Sequence, residues 1–197
     1  MGVSGQGVSG IPFTVDANGD VAFAGLLSQD GNDLAVTAGI GITGAAEVFV
    51  SGVERIGTLI KTTIFINITG LTSIDADDDI IGDDGTGAAH LGQITAAVNG
   101  TIFEGSVECI EVPATGTAGI AIWEAEEATG VENTAITALT ATELMQSQGD
   151  GTVWVAGDVI RFATFPTANE YLYLVVDGAG ADGDYTTGIF KIEFWGA

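Results

Sequence analysis

The residues best suited to chemistry lie in one acidic stretch that is followed by the only histidine of the chain. Six aspartates occupy the ten positions from Asp75 to Asp84, and His90 comes shortly afterwards. Aspartates are common ligands of Ca²⁺, which binds about six to eight oxygens at one point. An EF-hand loop starting with this stretch would need glycine in its sixth place, where the chain has Ile80. We therefore interpret the stretch as a solvated loop whose Ile80 and Ile81 fold inward, and a bound calcium ion stays the alternative.

Catalysis by His90 or by the glutamates has no motif to support it. A zinc site needs a second nitrogen or sulfur ligand and a triad needs a serine or cysteine nucleophile, and no such motif accompanies His90. Glycoside hydrolysis needs two carboxylates at a defined separation, which a sequence does not give. The candidates for such a pair are Glu104, Glu108, Glu111, Glu124, Glu126 and Glu127. We assign no catalytic residue, no metal ligand and no cofactor, and a carboxylate enzyme stays a distant alternative.

Cys109 is the only cysteine, so the chain has neither an intrachain disulfide nor a thiolate set for zinc or an iron–sulfur cluster. It lies in the segment SVECIEV, where alternation places Val107, Cys109 and Glu111 on one face of a strand. Free cysteines usually behave as small apolar residues, so we predict a partly buried strand residue.

The charge balance excludes several classes of partner. The chain has 27 acidic residues against 4 basic ones, which gives a formal net charge of -23. The basic residues are Arg55, Lys61, Arg161 and Lys191. DNA, RNA and anionic membranes bind clustered lysines and arginines, so we expect neither nucleic acid nor a membrane as a partner. No apolar run approaches the ~18 residues of a membrane helix, and the N-terminus lacks the features of a secretory signal.

The chain nevertheless has the composition of a folded protein. Its hydrophobic share is 46% and its charged share only 16%, which is unlike a disordered acidic tail. Residues 1–56 are rich in Gly, Ala, Ser and Val, and we interpret them as an N-terminal arm. Within the arm, the segment FTVDANGDVAF has two β-type runs around Asn18-Gly19, which predicts a short hairpin.

Residues 57–197 are predicted to form one all-β core. In GTLIKTTIFINITG the isoleucines alternate with Lys, Thr, Phe and Asn, the two-residue period of a half-buried strand. Further β-type runs follow, which favours an antiparallel sandwich or barrel. One short helix is expected in residues 133–151, with Thr140 or Thr142 as N-cap and Gly149 as the stop. The strand EYLYLVV presents two apolar faces, one of which we interpret as a candidate subunit interface.

The whole chain resembles the capsid decoration or cement proteins of tailed bacteriophages, particularly marine ones. The resemblance lies in the Gly-rich arm with VDANGDVAF, the acidic β core poor in lysine, and the ending YLYLVVDGAGADGDYTTGIFKIEFWGA. It implies an antiparallel β-sandwich of the jelly-roll type that often trimerises on the outside of the head. It also implies a structural role, in which the protein fastens neighbouring major capsid proteins of the virion.

A second class of function shares the same composition. A phage tail, fibre or host-adhesion module would also be β-rich, Gly-rich and acidic, and an exposed aromatic platform or a bound glycan would favour it. A flexible arm that becomes ordered on a neighbouring subunit suits the decoration role, since its ordering cost is met on assembly. We therefore expect a non-enzymatic decoration protein, with the tail or adhesion module as the alternative.

Overall fold

The computed structural model describes residues 3–6, 12–15, 21–23, 36–74, 76–85, 87–145, 153–178 and 181–197. Its strands are β1 (Val3–Gln6), β2 (Pro12–Val15), β3 (Val21–Phe23), β4 (Val48–Ile56), β5 (Leu59–Asn67), β6 (Thr72–Ser73), β7 (His90–Gln93), β8 (Ile102–Ala114), β9 (Ile120–Ala125), β10 (Ala141–Glu143), β11 (Val159–Arg161), β12 (Tyr171–Val176), β13 (Gly183–Asp184) and β14 (Thr187–Gly196). Its short helices are α1 (Ile40–Thr43), α2 (Ala96–Asn99) and a 3-10 helix (Ile136–Ala138).

The core is an antiparallel β-sandwich, as the sequence predicts. A four-stranded sheet has the order β10-β9-β12-β7, and a five-stranded sheet has the order β11-β8-β14-β5-β4. Buried residues of both sheets form one hydrophobic cluster. The chain changes sheet after β5, β7, β8, β10, β11 and β12, so that strands distant in sequence become neighbours. Such repeated crossing between two sheets is typical of the jelly-roll type.

The five-stranded sheet follows the alternation seen in the sequence. Along β5, Ile64 and Ile66 are fully buried while Phe65 and Asn67 are half-buried on the opposite face. The alternation breaks in β8, where Glu111 is exposed although Cys109 is buried. Cys109 and Glu111 pair with consecutive residues of β14, so β8 carries one extra residue there. This β-bulge turns Glu111 outward and corrects the prediction that both residues share a face.

The four-stranded sheet is covered on both faces, which corrects the interpretation of β12 as an interface. Leu172 and Leu174 on one face and Tyr173 on the other are all fully buried. The Tyr173 hydroxyl donates a hydrogen bond to the carbonyl oxygen of Glu127 (2.7 Å) and accepts one from the backbone N–H of Gly130 (3.3 Å). The segment after β9 therefore folds back over the sheet and covers Tyr173 on the outward face of β12.

The predicted limit between arm and core at residues 56 and 57 falls inside a hairpin. β4 pairs with β5 along its whole length, from Val48 opposite Asn67 to Ile56 opposite Leu59. Ile42 of α1 is fully buried and belongs to the common core. Residues 36–56 are thus part of the sandwich, although their composition resembles that of the arm.

The hairpin predicted within the arm is confirmed at the level of the backbone. β2 and β3 are antiparallel, with Phe13 opposite Phe23 and Val15 opposite Val21. β1 adds to β2 on the other side, which gives a three-stranded sheet. The residues that join β2 to β3, including Asn18-Gly19, lie outside the described residues.

The helix expected in residues 133–151 is shorter and lies earlier than the sequence suggests. Its only described helical residues are those of the 3-10 helix, Ile136–Ala138. Thr142, a predicted N-cap, lies in β10 and pairs with Glu124 of β9. The tertiary contact with β9 overrides the helical propensity of this segment. Residues 146–152, with the predicted stop at Gly149, lie outside the described residues.

Within the described ranges, none of the helices has the length and apolar character that crossing a lipid bilayer requires.

Candidate functional site

Among the described residues, no segment covers the outward side of the five-stranded sheet, which we call the open face. By strand register it is formed by Val48, Val50, Gly52, Glu54 and Ile56 of β4, Leu59, Lys61, Thr63, Phe65 and Asn67 of β5, Ile189, Lys191, Glu193 and Trp195 of β14, Glu104, Ser106, Glu108 and Glu111 of β8, and Val159 and Arg161 of β11. Several of its apolar side chains are exposed, and Val50 keeps 58% of its surface accessible. Contiguous exposed apolar residues on a folded domain mark interaction surfaces.

The four basic residues, which are far apart in sequence, all lie on this sheet. Lys61, Lys191 and Arg161 belong to the open face, and Arg55 lies on β4. Arg55 turns to the other side, where its guanidinium donates to the carbonyl oxygens of Ala97 (3.1 Å) and Val98 near the end of α2. The sheet therefore carries every lysine and arginine of a chain with a net charge of -23.

Ion pairs join three strands in a row across the open face. Lys191 of β14 binds Glu108 of β8 at 2.5 Å and Glu193 of its own strand at 3.2 Å. Glu193 in turn pairs with Lys61 of β5, whose ammonium lies 5.8 Å from the centre of the Trp195 ring. Burial alone would raise the pKa of Glu193, but the hydrogen bonds and charges of the two lysines together lower it. The hydrogen bond from Lys191 to Glu108 is the main cause of a raised pKa at Lys191. The row is thus locally balanced in charge.

One edge of the open face is β4, a strand in which every residue is at least partly exposed to solvent. Its residues alternate between exposed and half-buried over nine positions, so no residue of β4 is fully buried. β5 is its neighbour on one side, and the described strands place none on the other side. A long edge strand with exposed apolar residues such as Val48 and Val50 is a site at which other chains pair or pack.

The acidic loop has the structure predicted for it. Ile80 and Ile81 are buried, and the surrounding aspartates lie at or near the surface. Asp79 is the exception, since burial and then the charge of Asp78 raise the pKa of its carboxyl. Among the described residues, which omit Asp75, no group of three or more His, Cys, Asp or Glu is arranged to hold a metal ion.

A second acidic feature lies beside this loop. A cavity of about 290 Å³ is bordered by Asp84, Glu132 and Asn133. Burial is the main cause of a raised pKa at Glu132, and the charges of Asp84, Asp79, Asp182 and Asp83 raise it further. Burial, with repulsion between these carboxylates in second place, accounts for the raised pKa without any ligand.

His90 lies at the wall of a cleft on the covered sheet. Its ring is 4.9 Å from that of Tyr171 and 6.3 Å from that of Tyr173, measured between centroids. Burial lowers the pKa of His90. No serine or cysteine nucleophile and no second histidine stands with it in the cleft lining. The structural role predicted for His90 therefore agrees with its aromatic contacts.

The candidate glutamates are divided between the two sheets. Glu104 pairs with Arg161 at 3.4 Å, and Glu108 and Glu111 also belong to the open face, whereas Glu126 and Glu127 follow β9. Glu124 has a further acidic neighbour, Glu170, which is not one of these candidates.

Glu124 is the most strongly perturbed acid of the described residues. It is 4% exposed, and its carboxylate accepts a hydrogen bond from the backbone N–H of Thr167 (2.6 Å). Burial raises its pKa to about 7, with the neighbouring Glu170 adding to the rise and the Thr167 N–H opposing it. Burial therefore favours the protonated form of Glu124 inside the sandwich.

Cys109 is fully buried on the inner side of β8, deeper than the partly buried position predicted for it. Burial is the main cause that raises the pKa of its thiol to about 11, and the charge of Asp158 adds to it. A thiol held in its protonated form is a poor nucleophile and a poor metal ligand. The structure therefore gives Cys109 a packing role.

Sequence reasoning missed the open face, although a signal for it was present. The segment VFVSGVERI has apolar residues at both alternating phases, which is unusual for a strand with one face in water. Comparisons of the chain with protein-family models, with curated proteins and with solved structures found no match.

Proposed function

We propose that this chain is a non-enzymatic structural protein of a virion, a capsid decoration protein that binds the exterior of a tailed-phage head and bridges major capsid protein subunits. The observation that carries the proposal is the open face, a broad sheet surface on which exposed apolar residues alternate with paired charges. The resemblance of the whole chain to decoration proteins supplies the partner.

The charge distribution supports a role on the outside of a capsid. The three cations of the open face are paired with Glu193, Glu108 and Glu104, so they offer no unpaired basic patch to DNA phosphates. The surplus of negative charge opposes nonspecific association between copies of the chain. Electrostatic repulsion between this acidic chain and an acidic partner is lowest for contact through the open face, because the basic residues lie there.

The open face is also suited to repeated, individually weak contacts. Exposed valines of β4 provide apolar area, and the ion-pair row provides charge complementarity that fixes orientation. Many copies bound to one lattice gain from avidity without any single tight contact. We propose that the protein associates with itself as well, as a trimer, while bound to the lattice.

Binding to phage heads tests this function directly. The purified chain is mixed with heads that consist of the major capsid protein and lack the decoration protein, and the bound fraction is measured by sedimentation. Wild-type chain is expected to bind to saturation, and Val50→Glu is expected to lose binding because it places a charge at the centre of the apolar part of the open face.

Ile40→Glu is the matched control for this experiment. Ile40 is 62% exposed on α1, away from the open face, so the substitution adds the same charge at an equally accessible aliphatic position. It is expected to leave binding unchanged. Equal binding by Val50→Glu and wild type would remove the open face from the function, and wild-type chain that never sediments with heads would overturn decoration in favour of the tail or adhesion alternative.

The role of the arm is tested by a truncation that respects the observed fold. Deletion of residues 1–35 leaves α1 and β4 in place, whereas a longer deletion to residue 50 would remove Ile42 and the start of β4 from the sandwich. The shortened chain is expected to stay folded but to bind heads more weakly. Light scattering at low salt and at ~0.5 M salt, where charges are screened beyond a few ångströms, then measures self-association.

A further inference from the structure

Among the described residues, the cover over the four-stranded sheet leaves a cleft of about 450 Å³. Its floor is formed by the outward side chains His90 and Gln93 of β7 and Tyr171 of β12. Segment 36–39 borders it on one side, and the backbone N–H of Gly39 donates to the carbonyl oxygen of His90 at 2.8 Å. Thr95 and Val98, at the two ends of the first turn of α2, border it on another.

The lining of this cleft is uncharged at neutral pH, which is unusual in this chain. None of the residues around it is an aspartate, glutamate, lysine or arginine, although the chain has 27 acidic residues. Its volume lies within the ~300–1,000 Å³ typical of small-molecule sites. A largely apolar wall with a few polar groups is the composition such sites have.

The polar groups of the cleft are held in fixed orientations by their own hydrogen bonds. The Gln93 amide nitrogen donates to the carbonyl oxygen of Asn169 at 2.8 Å, which directs the amide. The Thr95 hydroxyl oxygen accepts a hydrogen bond from the N–H of Val98, so its own hydrogen is available to donate. Groups that are held in place lose little entropy when a ligand binds.

His90 has a buried polar atom that no hydrogen bond stabilises. Its Nδ1 is inaccessible and has no partner among the described residues. An unpartnered buried polar atom costs about 1–3 kcal/mol, so its presence in a native structure needs an explanation. Burial keeps His90 neutral at pH 7 because it lowers the pKa, so the ring has one donor and one acceptor nitrogen.

We propose that this cleft is a binding site for one uncharged sugar residue. Tyr171 presents a half-buried aromatic ring against which the apolar face of a sugar ring packs. Gln93 and Thr95 offer both donors and acceptors, which hydroxyl groups match because each of them both donates and accepts.

The charge distribution of the protein disfavours charged small ligands in this cleft. The net charge of -23 disfavours anionic ligands such as phosphates and acidic sugars. A cation is attracted more strongly to the carboxylates around Glu132 than to this cleft, whose lining carries no charge. A neutral ligand rich in hydroxyls fits both constraints. The site is separate from the open face, so a sugar can bind there without blocking the proposed capsid contact, although a bound sugar would add weight to the adhesion alternative.

Titration of the ¹⁵N-labelled chain with neutral sugars tests the site. The probes are glucose, galactose, mannose and N-acetylglucosamine, with glucuronate as the matched anionic control for glucose. At least one neutral sugar is expected to shift the amide signals of residues 37–39 and 90–95 with a Kd of ~1–10 mM, and glucuronate is expected to leave them unchanged.

Two variants and a control decide whether the cleft is responsible. Tyr171→Leu and Gln93→Ala are each expected to weaken binding by about tenfold while the signals of the other sheet stay in place. Phe103→Leu, which alters an exposed aromatic ring on β8, is expected to bind like wild type. The absence of shifts with all four neutral sugars at ~50 mM would overturn the proposal, as would shifts that survive both cleft variants.

Discussion

The two sheets of the sandwich have similar strands but opposite surroundings. In the four-stranded sheet, β12 is covered on both faces, and Tyr173 on its outward side is fully buried. In the five-stranded sheet, β14 alternates strictly between buried and half-buried residues, and β4 has no fully buried residue at all. One sheet thus serves as the centre of the fold, and the other presents a surface.

The difference arises from the connections and not from the strands themselves. The segment between β9 and β10 and the segment before β4 lie over the four-stranded sheet, where Gly130 and Gly39 approach it closely. A side chain at Gly130 would meet Tyr173 at 2.8 Å, and one at Gly39 would meet the backbone of Ala88. Glycine at these two positions lets the cover lie directly on the sheet.

The largest effect that tests this comparison is on stability. Tyr173→Ala is expected to lower the free energy of unfolding by about 3–5 kcal/mol, because it empties a buried site. Val50→Ala, at an outward position of the other sheet, is expected to change it by less than about 0.5 kcal/mol. Urea unfolding measures both. Tyr173→Phe, which keeps the ring and removes the hydroxyl, should cost about 1 kcal/mol. Similar losses for the two alanine variants would contradict the comparison.

A smaller effect concerns the buried carboxyl of the covered sheet. Glu124 has a pKa of about 7 in the folded chain against 4.5 as its ordinary value. The folded state therefore binds more protons than the unfolded state in this range, so the stability contributed by Glu124 is full below pH 4.5 and is lost as the pH rises to 7.

Glu124→Gln tests this dependence, because glutamine is neutral at every pH and keeps an acceptor for the Thr167 N–H. The variant should gain stability relative to wild type as the pH rises from 4.5 to 8, measured by Tm at constant ionic strength. A difference in Tm that is the same at every pH would show that folding does not raise the pKa of Glu124.

The smallest effect is expected on the open face. Glu193→Gln removes the centre of the ion-pair row and should cost up to about 1 kcal/mol at low salt, and less at 0.5 M salt, where the pairs are screened. Because the two lysines lower the pKa of Glu193, its stabilisation has the opposite sign from that of Glu124: it is present at neutral pH and is lost on acidification through the lowered pKa.

Glu111→Gln is the control for the ion-pair row. Glu111 is exposed on the same face and takes part in none of the ion pairs of the described residues. Thermal unfolding in two salt concentrations compares the variants. A salt-independent loss in Glu193→Gln, or an equal loss in Glu111→Gln, would mean that the row does not stabilise the sheet.

Several elements were predictable because they depend on local pattern alone. The alternation of β5 placed Ile64 and Ile66 inside, as observed. The Asn-Gly turn signal predicted the pairing of β2 with β3. The inward position of Ile80 and Ile81 followed from their apolar character within an acidic loop. Period, turn residues and hydrophobicity act over a few residues, so a sequence displays them directly.

Other features were not predictable because they depend on contacts between distant segments. The outward face of β12 is covered by the segment with Gly130, which is distant from β12 in the sequence. Glu111 lies on the face opposite to the predicted one because β8 carries an extra residue where it pairs with β14. Thr142 belongs to a strand, and not to the start of a helix, because it pairs with β9. The cleft at His90 also exists only where three separate segments meet.

The amino-acid sequence by itself determined that this chain is an acidic, all-β protein built of alternating strands, because composition and a two-residue period fix charge and burial locally. Only the tertiary structure decided which sheet is covered and which is open. It also brought four basic residues from Arg55 to Lys191 onto one sheet of an acidic protein. Strand order sets those relations, and it is determined by pairing between segments up to more than a hundred residues apart, which local patterns do not encode.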